Sequence, residues 1–472
     1  MSAQPYGADE TRRSDEVVES GVDALGMSAD EFRRLGYWLV DRIVARAHNL
    51  DSGPAIVART PAELMARFGG PPPSEPGDPL LALELLADVA LETKQHSDHP
   101  RYFARVPGPS SYTGVLGDWL GVGFNTIAAS WRGSAGPTAI ELVAVDWIRS
   151  LIGFPENSEG VLSSGGSMAN LTALVAARNA KGAGVIYLSD QTHSSIVRAL
   201  HIIGTTPAHI RIIDTGDELR LTAHAVRTAI ENDQASGLQP RIVIGTAGST
   251  NTGFVDDLPG IADLCAEFDL WFHVDGAYGA PAALTHAGRS VLRGIECADS
   301  LVMDPHKWLF QPFDVACVLV RHPGALEAAF TMNPEYLRDV QGVGDEVDLR
   351  NRSPELSRRA RGLKLWLTFT THGTTRISDA IQRGIDNAAY AESVLDEDSA
   401  WEVVTPAHLG VVTFVRRGHD DEWHIKAAER LTDSGFAAVS CTRIRGRQVL
   451  RMCTINPRAT TDDIVETISR CR

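Results

Sequence analysis

Two residues with complementary chemistry follow neighbouring apolar runs in the middle of the chain. Asp275 closes the run Trp-Phe-His-Val, and Lys307 lies inside Pro-His-Lys-Trp, after the run Ser-Leu-Val-Met. A lysine amine can form a Schiff base with an aldehyde, and a carboxylate can keep a ring nitrogen protonated. Lys307 stands between His306 and Trp308 and follows an apolar run, which is an unusual position for a solvated amine. The pair predicts covalent chemistry on a carbonyl compound that carries a basic ring.

A glycine-containing turn supplies what an anion would need. The segment 160–170 reads Gly-Val-Leu-Ser-Ser-Gly-Gly-Ser-Met-Ala-Asn, and the apolar spacing from Met168 onward predicts a helix there. Small residues let backbone N–H groups approach an anion, and the helix adds the positive end of its dipole. Such a turn alone is more often only a turn. Together with Asp275 and Lys307, it predicts a site for pyridoxal phosphate.

Three motifs resemble the group II pyridoxal-phosphate-dependent amino acid decarboxylases, the family that includes aromatic L-amino acid decarboxylase. They are Asp-Gln-Thr-His-Ser-Ser at 190–195, His-Val-Asp-Gly-Ala-Tyr at 273–278 and Pro-His-Lys-Trp at 305–308. The resemblance extends from about residue 99 to residue 366. It implies pyridoxal 5′-phosphate as the cofactor and an α/β fold of fold-type I, the aspartate aminotransferase-like architecture.

The same resemblance implies roles for individual residues. Lys307 would form the Schiff base, Asp275 would pair with the ring nitrogen, and His193 would stack on the ring and assist proton transfer. A lysine desolvated there, with a lowered pKa, exchanges its Schiff base readily. The cofactor contacts are implied to come from Gly165, Gly166, Ser167, His193, Thr250, Asp275, His306 and Lys307, although Thr250 is nearly as well explained as a cap in a turn.

The activity implied is removal of the α-carboxylate of an L-amino acid, with the electrons left behind delocalised into the ring. Tyr336 matches the tyrosine of the family's catalytic loop, which donates a proton to the α-carbon, and 341–346 is polar and glycine-containing like a mobile lid. Relatives that form aldehydes by oxidative deamination have typically replaced this tyrosine or the stacking histidine. Both remain here, so decarboxylation to the amine is favoured. An aldehyde synthase is the alternative, and a silent homologue is the least favoured.

The chain departs from the aromatic branch of this family near the substrate. Segments 102–111 and 125–131 match substrate-lining stretches, but the aromatic branch usually has aromatic residues at positions 105, 106 and 129. A guanidinium at 105 would offer a bidentate contact to an acidic side chain, or it would pair with a nearby acid at the rim. Aromatic substrates come first on family prevalence, and acidic ones are the alternative. The expected substrate residues are Arg105, Val106, Pro107, Ile127 and Ala129.

A second departure is Asp304, three residues before the lysine, where the aromatic branch commonly has a neutral amide. A carboxylate close to a phosphate dianion is repelled unless it is turned away or paired. Asp304 is therefore assigned no phosphate contact.

The order of apolar patterns predicts the domain organisation. Short apolar strands alternate with helical stretches from about 160 to 322, which indicates a mainly parallel sheet covered on both faces. We predict an N-terminal helical dimerisation segment at 1–110, a large cofactor-binding α/β domain at 111–365 and a small C-terminal α+β domain at 366–472. The resemblance implies a homodimer with shared active sites.

Composition excludes several other classes of protein. The 472 residues carry a formal net charge of −16, which argues against a nucleic-acid partner. No stretch approaches the roughly 20 apolar residues that a membrane span needs, and no signal-peptide pattern is present. The six cysteines form no Cys-x-x-Cys pair, so neither disulfides nor a metal site are expected. We expect a cytoplasmic enzyme with a small-molecule amino acid substrate.

Overall fold

The computed structural model of the protein describes residues 25–332, 335, 339 and 341–472. Two sheets are formed within these residues, one of seven strands and one of four. The strands are β1 (Glu159–Ser163), β2 (Val185–Ser189), β3 (Ile210–Ile213), β4 (Pro240–Thr246), β5 (Trp271–Asp275), β6 (Ser300–Met303), β7 (Ala316–Val320), β8 (Trp401–His408), β9 (Val411–Arg416), β10 (Ser440–Ile444) and β11 (Arg447–Cys453).

Several helices begin at a residue whose side chain caps the first turn. Thr60 forms a capping box with Glu63, and Ser111 accepts a hydrogen bond from the Gly114 amide. The helices are α1 (Ala29–His48), α2 (Pro61–Phe68), α3 (Pro79–Leu85), α4 (Tyr112–Gly123), α5 (Ala135–Ile152), α6 (Gly166–Lys181), α7 (Ser194–Ile202), α8 (Ala223–Ala235), α9 (Leu258–Glu267), α10 (His286–Val291), α11 (Pro305–Trp308), α12 (Ala325–Phe330), α13 (Gly362–Glu397), α14 (Asp421–Asp433) and α15 (Thr461–Arg470).

The seven-stranded sheet has the order β1-β7-β6-β5-β4-β2-β3. Strands β3, β2, β4, β5 and β6 run parallel. At one edge, β7 pairs antiparallel with β6, and β1 pairs antiparallel with β7, so only β7 runs in the opposite direction. Helices cover both faces, so β1, β2, β5, β6 and β7 are buried along their whole length. The predicted α/β class with a mainly parallel central sheet is confirmed.

The four-stranded sheet is antiparallel, with the order β10-β11-β9-β8, and it packs against α13 and α14. It agrees with the small α+β unit expected at the C-terminal end. The domain limits at 110 and 365 stay predictions, and α13 continues through the second of them.

The N-terminal helices α1 to α4 leave much apolar surface uncovered. On α1 the Phe32 side chain is 72% exposed, and on α4 Leu120 is 54% exposed. An isolated chain does not normally present so many large apolar groups together. Within the single chain, the apolar side chains of these helices are therefore only partly buried. Separately, none of the helices in the described ranges has the length and apolar character required to cross a membrane.

A fully buried ion pair fixes the strand that leads into the glycine turn. The Arg358 guanidinium lies 2.6 Å from Glu141 Oε1 and also donates to the carbonyls of Ala128 and Leu162. The same Glu141 oxygen accepts the Leu162 amide at 3.0 Å. One carboxylate from α5 and one arginine before α13 thus hold both backbone groups of Leu162 in β1, three residues before Gly165.

Replacing Arg358 with Met should destabilise the protein strongly. The substitution leaves the Glu141 carboxylate buried without a cation, which typically costs about 3–5 kcal/mol in the free energy of unfolding. Urea unfolding followed by circular dichroism measures it. Lys426→Gln, which breaks the exposed pair with Glu422 on α14, is the control and should leave the midpoint unchanged. Equal urea midpoints for the Arg358 variant and the wild type would show that the Arg358–Glu141 ion pair does not stabilise the fold.

Candidate active site

A cavity of about 430 Å³ lies at the carboxyl ends of the parallel strands. Open α/β sheets bind their ligands at this edge. Residues that follow β2, β4, β5 and β6 meet there with the first residues of α6, so five separate chain segments contribute. The structure brings together all eight predicted cofactor residues, and they line this one cavity: Gly165, Gly166, Ser167, His193, Thr250, Asp275, His306 and Lys307.

Asp275 ends β5 and is 5% exposed. Its Oδ2 accepts a hydrogen bond from the Asn170 side-chain amide at 3.1 Å, and its Oδ1 accepts the Ala277 backbone amide at 3.1 Å. Hydrogen bonds to an ionised carboxylate stabilise the charged form. These two hydrogen bonds fix the orientation of the Asp275 carboxylate at the inner wall of the cavity.

A line of hydrogen bonds fixes the orientation of Asn170. Its Oδ1 faces His273 Nε2 at 3.1 Å, and His273 Nδ1 faces Ser300 Oγ at 2.8 Å. The Trp271 indole donates to the same Ser300 oxygen at 2.8 Å. Burial lowers the pKa of His273 to about 4, so the ring is neutral at neutral pH and carries one hydrogen.

Only one direction of donation satisfies this line. Because a carboxylate can only accept, Asn170 turns its amino group to Asp275 and its oxygen to His273. His273 must then donate from Nε2 and accept at Nδ1 from the Ser300 hydroxyl. The acceptor-only carboxylate of Asp275 thus fixes the direction of every hydrogen bond in this line.

The Asn170 amide also reaches the predicted stacking histidine. It lies 3.4 Å from Ser195 Oγ, and that hydroxyl lies 2.8 Å from His193 Nδ1. His193 caps α7, and its Nδ1 accepts the Ser195 amide as well. Since Nδ1 is an acceptor, the ring hydrogen is on Nε2. Asn170 therefore couples the orientation of Asp275 to that of His193.

The glycine turn is shaped so that the start of α6 stays open. Gly165 is the N-cap residue with a φ of +151°, and no side chain caps the helix. A Cβ on Gly166 would lie 2.8 Å from Asp304 Oδ2, so a larger residue would collide there. The amides of the first helical turn therefore face the cavity, where an anion can accept from them.

Lys307 lies on the short helix α11 beside Asp304. Its Nζ is 2.8 Å from Asp304 Oδ2, and the Asp304 side chain is 2% exposed. Burial acts to lower the pKa of Lys307, but the Asp304 charge and hydrogen bond outweigh it, with a smaller contribution from Asp275, and the pKa is raised. The expectation of a lowered pKa was wrong, because it left out the carboxylate one helical turn before the lysine.

Contacts behind Lys307 hold α11 in place. Trp308 is fully buried and stacks on Tyr278, with ring centroids 5.2 Å apart. The Tyr278 hydroxyl accepts the Gly410 amide at 2.8 Å, which connects the lysine helix to the four-stranded unit. His306 Nδ1 accepts the Val315 amide at 3.3 Å, and burial lowers the pKa of this ring.

These residues fit pyridoxal phosphate. The cavity offers a lysine amine, a buried carboxylate whose orientation is fixed, and a helix start without a side-chain cap. A buried hydroxyl, Thr246 Oγ1, also faces the cavity without a hydrogen-bond partner in the described chain. The first group suits an aldehyde, the second a protonated ring nitrogen, and the third a phosphate.

The predicted substrate residues do not line the cavity of the single chain. The Arg105 side chain is exposed, and its backbone has a φ of +50° and is held by Ser440 and Arg451. Val106 packs against the main core, and Ile127 is half-exposed. The expected substrate positions of Arg105, Val106, Pro107, Ile127 and Ala129 remain predictions. Tyr336 lies outside the described residues.

The sequence interpretation missed the residues that orient the site. His273 could have been found, because the period of two along a strand places it on the same face as Asp275. Asn170 lies one helical turn after Gly166, within the quoted motif, but nothing local marks it as the partner of Asp275. Ser195 was quoted without a role. Phe313, whose ring packs on His306 at the cavity, carried no signal in the sequence.

Comparison with known proteins agrees with this geometry. The model of the pyridoxal-dependent decarboxylase conserved domain matches residues 72–417. An aromatic-L-amino-acid decarboxylase of Bacillus atrophaeus is 42% identical over 461 residues, covering 95% of this chain and 96% of that protein. A phenylacetaldehyde synthase of Petunia hybrida is 30% identical over 465 residues, with 91% of each chain covered.

A solved structure gives the same picture of the fold. The crystal structure of Oryza sativa TDC with PLP and tryptamine superposes with a TM-score of 0.90 at 30% sequence identity, covering 94% of this chain and 97% of that one. The predicted fold-type I architecture and the predicted cofactor are confirmed. The chain belongs to the pyridoxal-dependent decarboxylases and is a pyridoxal-phosphate-dependent carboxy-lyase that acts on an amino acid.

Proposed function

We propose that this enzyme decarboxylates aromatic L-amino acids to the corresponding amines. The observation that carries the reaction is the shared cavity of Lys307 and Asp275, in which Asn170 orients the Asp275 carboxylate. The aromatic preference rests on the name of the 42% identical Bacillus relative. An acidic substrate would need the Arg105 guanidinium to reach the substrate, and within the described chain that side chain is exposed and does not line the cavity.

Each residue then has one task. When bound, pyridoxal phosphate supplies the aldehyde for amine exchange and a ring that takes up the electrons left by carbon dioxide. Lys307 would hold the cofactor through its amine and would be displaced by the substrate amine. Asp275 would keep the proton on the ring nitrogen. His193, which lines the same cavity, would stack on the ring, with its hydrogen on Nε2.

Protonation at the α-carbon decides the product, and we assign it to Tyr336. The tyrosine belongs to the segment that precedes 341–346, which is held by contacts of its own. The Gly342 amide donates to Asp348 at 3.0 Å, and Glu346 lies 3.3 Å from Arg132. Loss of this tyrosine would favour the aldehyde reaction named for the Petunia relative.

The enzyme acts as a homodimer in this proposal. The exposed apolar side chains of α1 to α4 need a cover, and a second copy of the chain supplies one of matching character. The substrate residues away from the single-chain cavity, Ile127 and Ala129 among them, would then serve a site shared between subunits. The six free cysteines, four of them buried, suit the reducing cytoplasm, which we propose as its location.

A panel of L-amino acids tests the activity. Incubated with the cofactor-loaded enzyme, tryptophan, tyrosine, phenylalanine and DOPA should give amines, identified by mass as loss of carbon dioxide. We expect kcat/KM for the preferred aromatic substrate to exceed that for glutamate by about a hundredfold or more, since a buried charge without a partner is costly. Lys307→Ala is the control and should form no product. Faster turnover of glutamate or aspartate would overturn the aromatic assignment.

Tyr336→Phe should separate decarboxylation from aldehyde formation. Without the phenol proton, amine formation should fall by on the order of 10²–10⁴-fold. Oxygen uptake and peroxide release should appear, measured with an oxygen electrode and a peroxidase assay. Tyr390→Phe changes a partly exposed tyrosine on α13 and should leave both rates unchanged. A Tyr336 variant that makes amine at the wild-type rate would remove this residue from the mechanism.

Leu120→Glu should weaken the dimer. A carboxylate placed in an apolar interface loses its hydration without gaining a partner, so subunits should separate. Sedimentation velocity measures the change, with a shift from dimer to monomer as the expected result. Ile202→Glu, which places the same charge on an equally exposed apolar residue of α7, is the control and should stay dimeric. A monomeric wild type would contradict the proposed assembly.

A further inference from the structure

Asp304 is a buried carboxylate with one oxygen unused. Its side chain is 2% exposed, and Oδ2 lies 2.8 Å from Lys307 Nζ and 3.6 Å from His306 Nε2. Its Oδ1 is buried and has no hydrogen-bond partner among the described residues. A buried polar atom without a partner is uncommon, and one in a binding cavity marks a contact that a ligand completes.

Both oxygens of the Asp304 carboxylate lie beside the glycine turn. A Cβ built on Gly166 would lie 2.8 Å from Oδ2 and 3.2 Å from Oδ1 of Asp304. The carboxylate is therefore directly beside the first residue of α6, whose uncapped amides form the anion site. A phosphate bound there comes within hydrogen-bonding reach of Asp304. Two anions cannot share that space in a low-dielectric site without a proton between them.

Bound cofactor would also change the cation that Asp304 has in the free chain. Once covalently attached, the Lys307 nitrogen would keep a single N–H, oriented by the cofactor, and would no longer offer Asp304 an ammonium group. His306 would then be the nearest other partner. The His306 ring accepts the Val315 amide at Nδ1, so Nε2 carries its only hydrogen and the ring is neutral. A neutral ring 3.6 Å away is a poor substitute for an ammonium group at 2.8 Å.

The other charged groups near this cluster do not replace that cation. From β5, Asp275 adds a further negative charge, and from α13, Lys364 acts on His306 but is engaged by Asp118 at 3.1 Å. Cys453 on β11 is fully buried, and burial raises the pKa of its thiol. His193 across the cavity has its Nδ1 occupied by Ser195. None of these groups supplies a free positive charge to Asp304.

We propose that Asp304 takes up a proton when the cofactor binds and donates it from Oδ1 to a phosphate oxygen. Asp304 is thereby a phosphate-binding residue in its acid form and a counterion of Lys307 in its anionic form. The inference rests on the proposed placement of the phosphate at the glycine turn. It revises the sequence interpretation, in which this residue had no phosphate contact.

The proton balance makes the proposal measurable. An ammonium group and an aldehyde condense to a protonated Schiff base and one water, so that step neither takes up nor releases a proton. The proton on Asp304 comes from solvent, and binding takes up one proton for each cofactor. Proton uptake makes binding weaker as the pH rises. The dissociation constant of the wild type for pyridoxal phosphate should increase about tenfold for each pH unit, over the pH range in which Asp304 is protonated only when the cofactor is bound.

Asp304→Asn is the informative variant, because an amide donates the same hydrogen bond without needing a proton. Titration of the full-length apoprotein with pyridoxal phosphate, followed by absorbance from about pH 6.5 to about pH 8.5, gives both dissociation constants. The ratio of the wild-type constant to that of the variant should rise about tenfold per pH unit. Calorimetry of cofactor binding in two buffers of different ionisation enthalpy measures the number of protons taken up. This number should be larger by one for the wild type than for the Asp304→Asn variant.

Pyridoxal, which lacks the phosphate, is the matched control ligand. It engages Lys307 and Asp275 alike, so its proton count should be the same for the two proteins. Should the variant not fold, the wild type alone decides the matter, since pyridoxal phosphate should take up one more proton than pyridoxal. Equal proton counts for the two ligands, or a flat ratio with pH, would overturn the proposal. Cofactor binding that survives unchanged in Lys307→Ala would instead count against the proposed function.

Discussion

The buried Asp275 carboxylate is the constraint on which the rest of the site depends. A carboxylate out of water is stable only when its oxygens are hydrogen-bonded, and Asn170 and the Ala277 amide meet that requirement. Asn170 lies one turn after Gly166 on α6, whereas Asp275 ends β5. The contact that satisfies the carboxylate therefore fixes α6 relative to β5. In the proposed site, this one contact would set the distance between the groups that hold the phosphate and the ring nitrogen.

The parallel sheet makes this arrangement possible, and the second unit keeps it rigid. Parallel strands end at one edge, so residues far apart in the chain meet there without long connections. Lys307 needs more, because α11 is a single turn of helix with little stability of its own. Its support is Trp308 stacked on Tyr278, with the tyrosine oxygen bonded to Gly410 beside β9. The four-stranded unit thus takes part in positioning the reactive amine.

The sequence was sufficient to predict the cofactor and the type of reaction. It did not predict most of the contacts between residues that are distant in the chain. Alternating apolar runs predicted the parallel strands, and the residues that follow those runs were the cavity residues, because strand ends converge. The segment that forms β1 was taken only as the approach to the phosphate turn, since antiparallel addition to β7 leaves no local mark. The raised pKa of Lys307 depends on the Asp304 side chain being directed toward the lysine amine. The pattern of apolar residues along the chain does not determine the direction of that side chain.

Charge balance explains why Asp304 matters in a cavity made for an anion. In the chain without cofactor, Lys307 and Asp304 form an ion pair. A phosphate ester brings about −1.5 to −2 charges, whereas a helix start offers roughly half a positive charge. If Asp304 stayed ionised, the phosphate and the carboxylate would together give the glycine turn a large negative charge when Lys307 is attached to the cofactor. A carboxylate that changes its protonation state serves both conditions, as lysine counterion and as phosphate donor, where a fixed amide serves only the second.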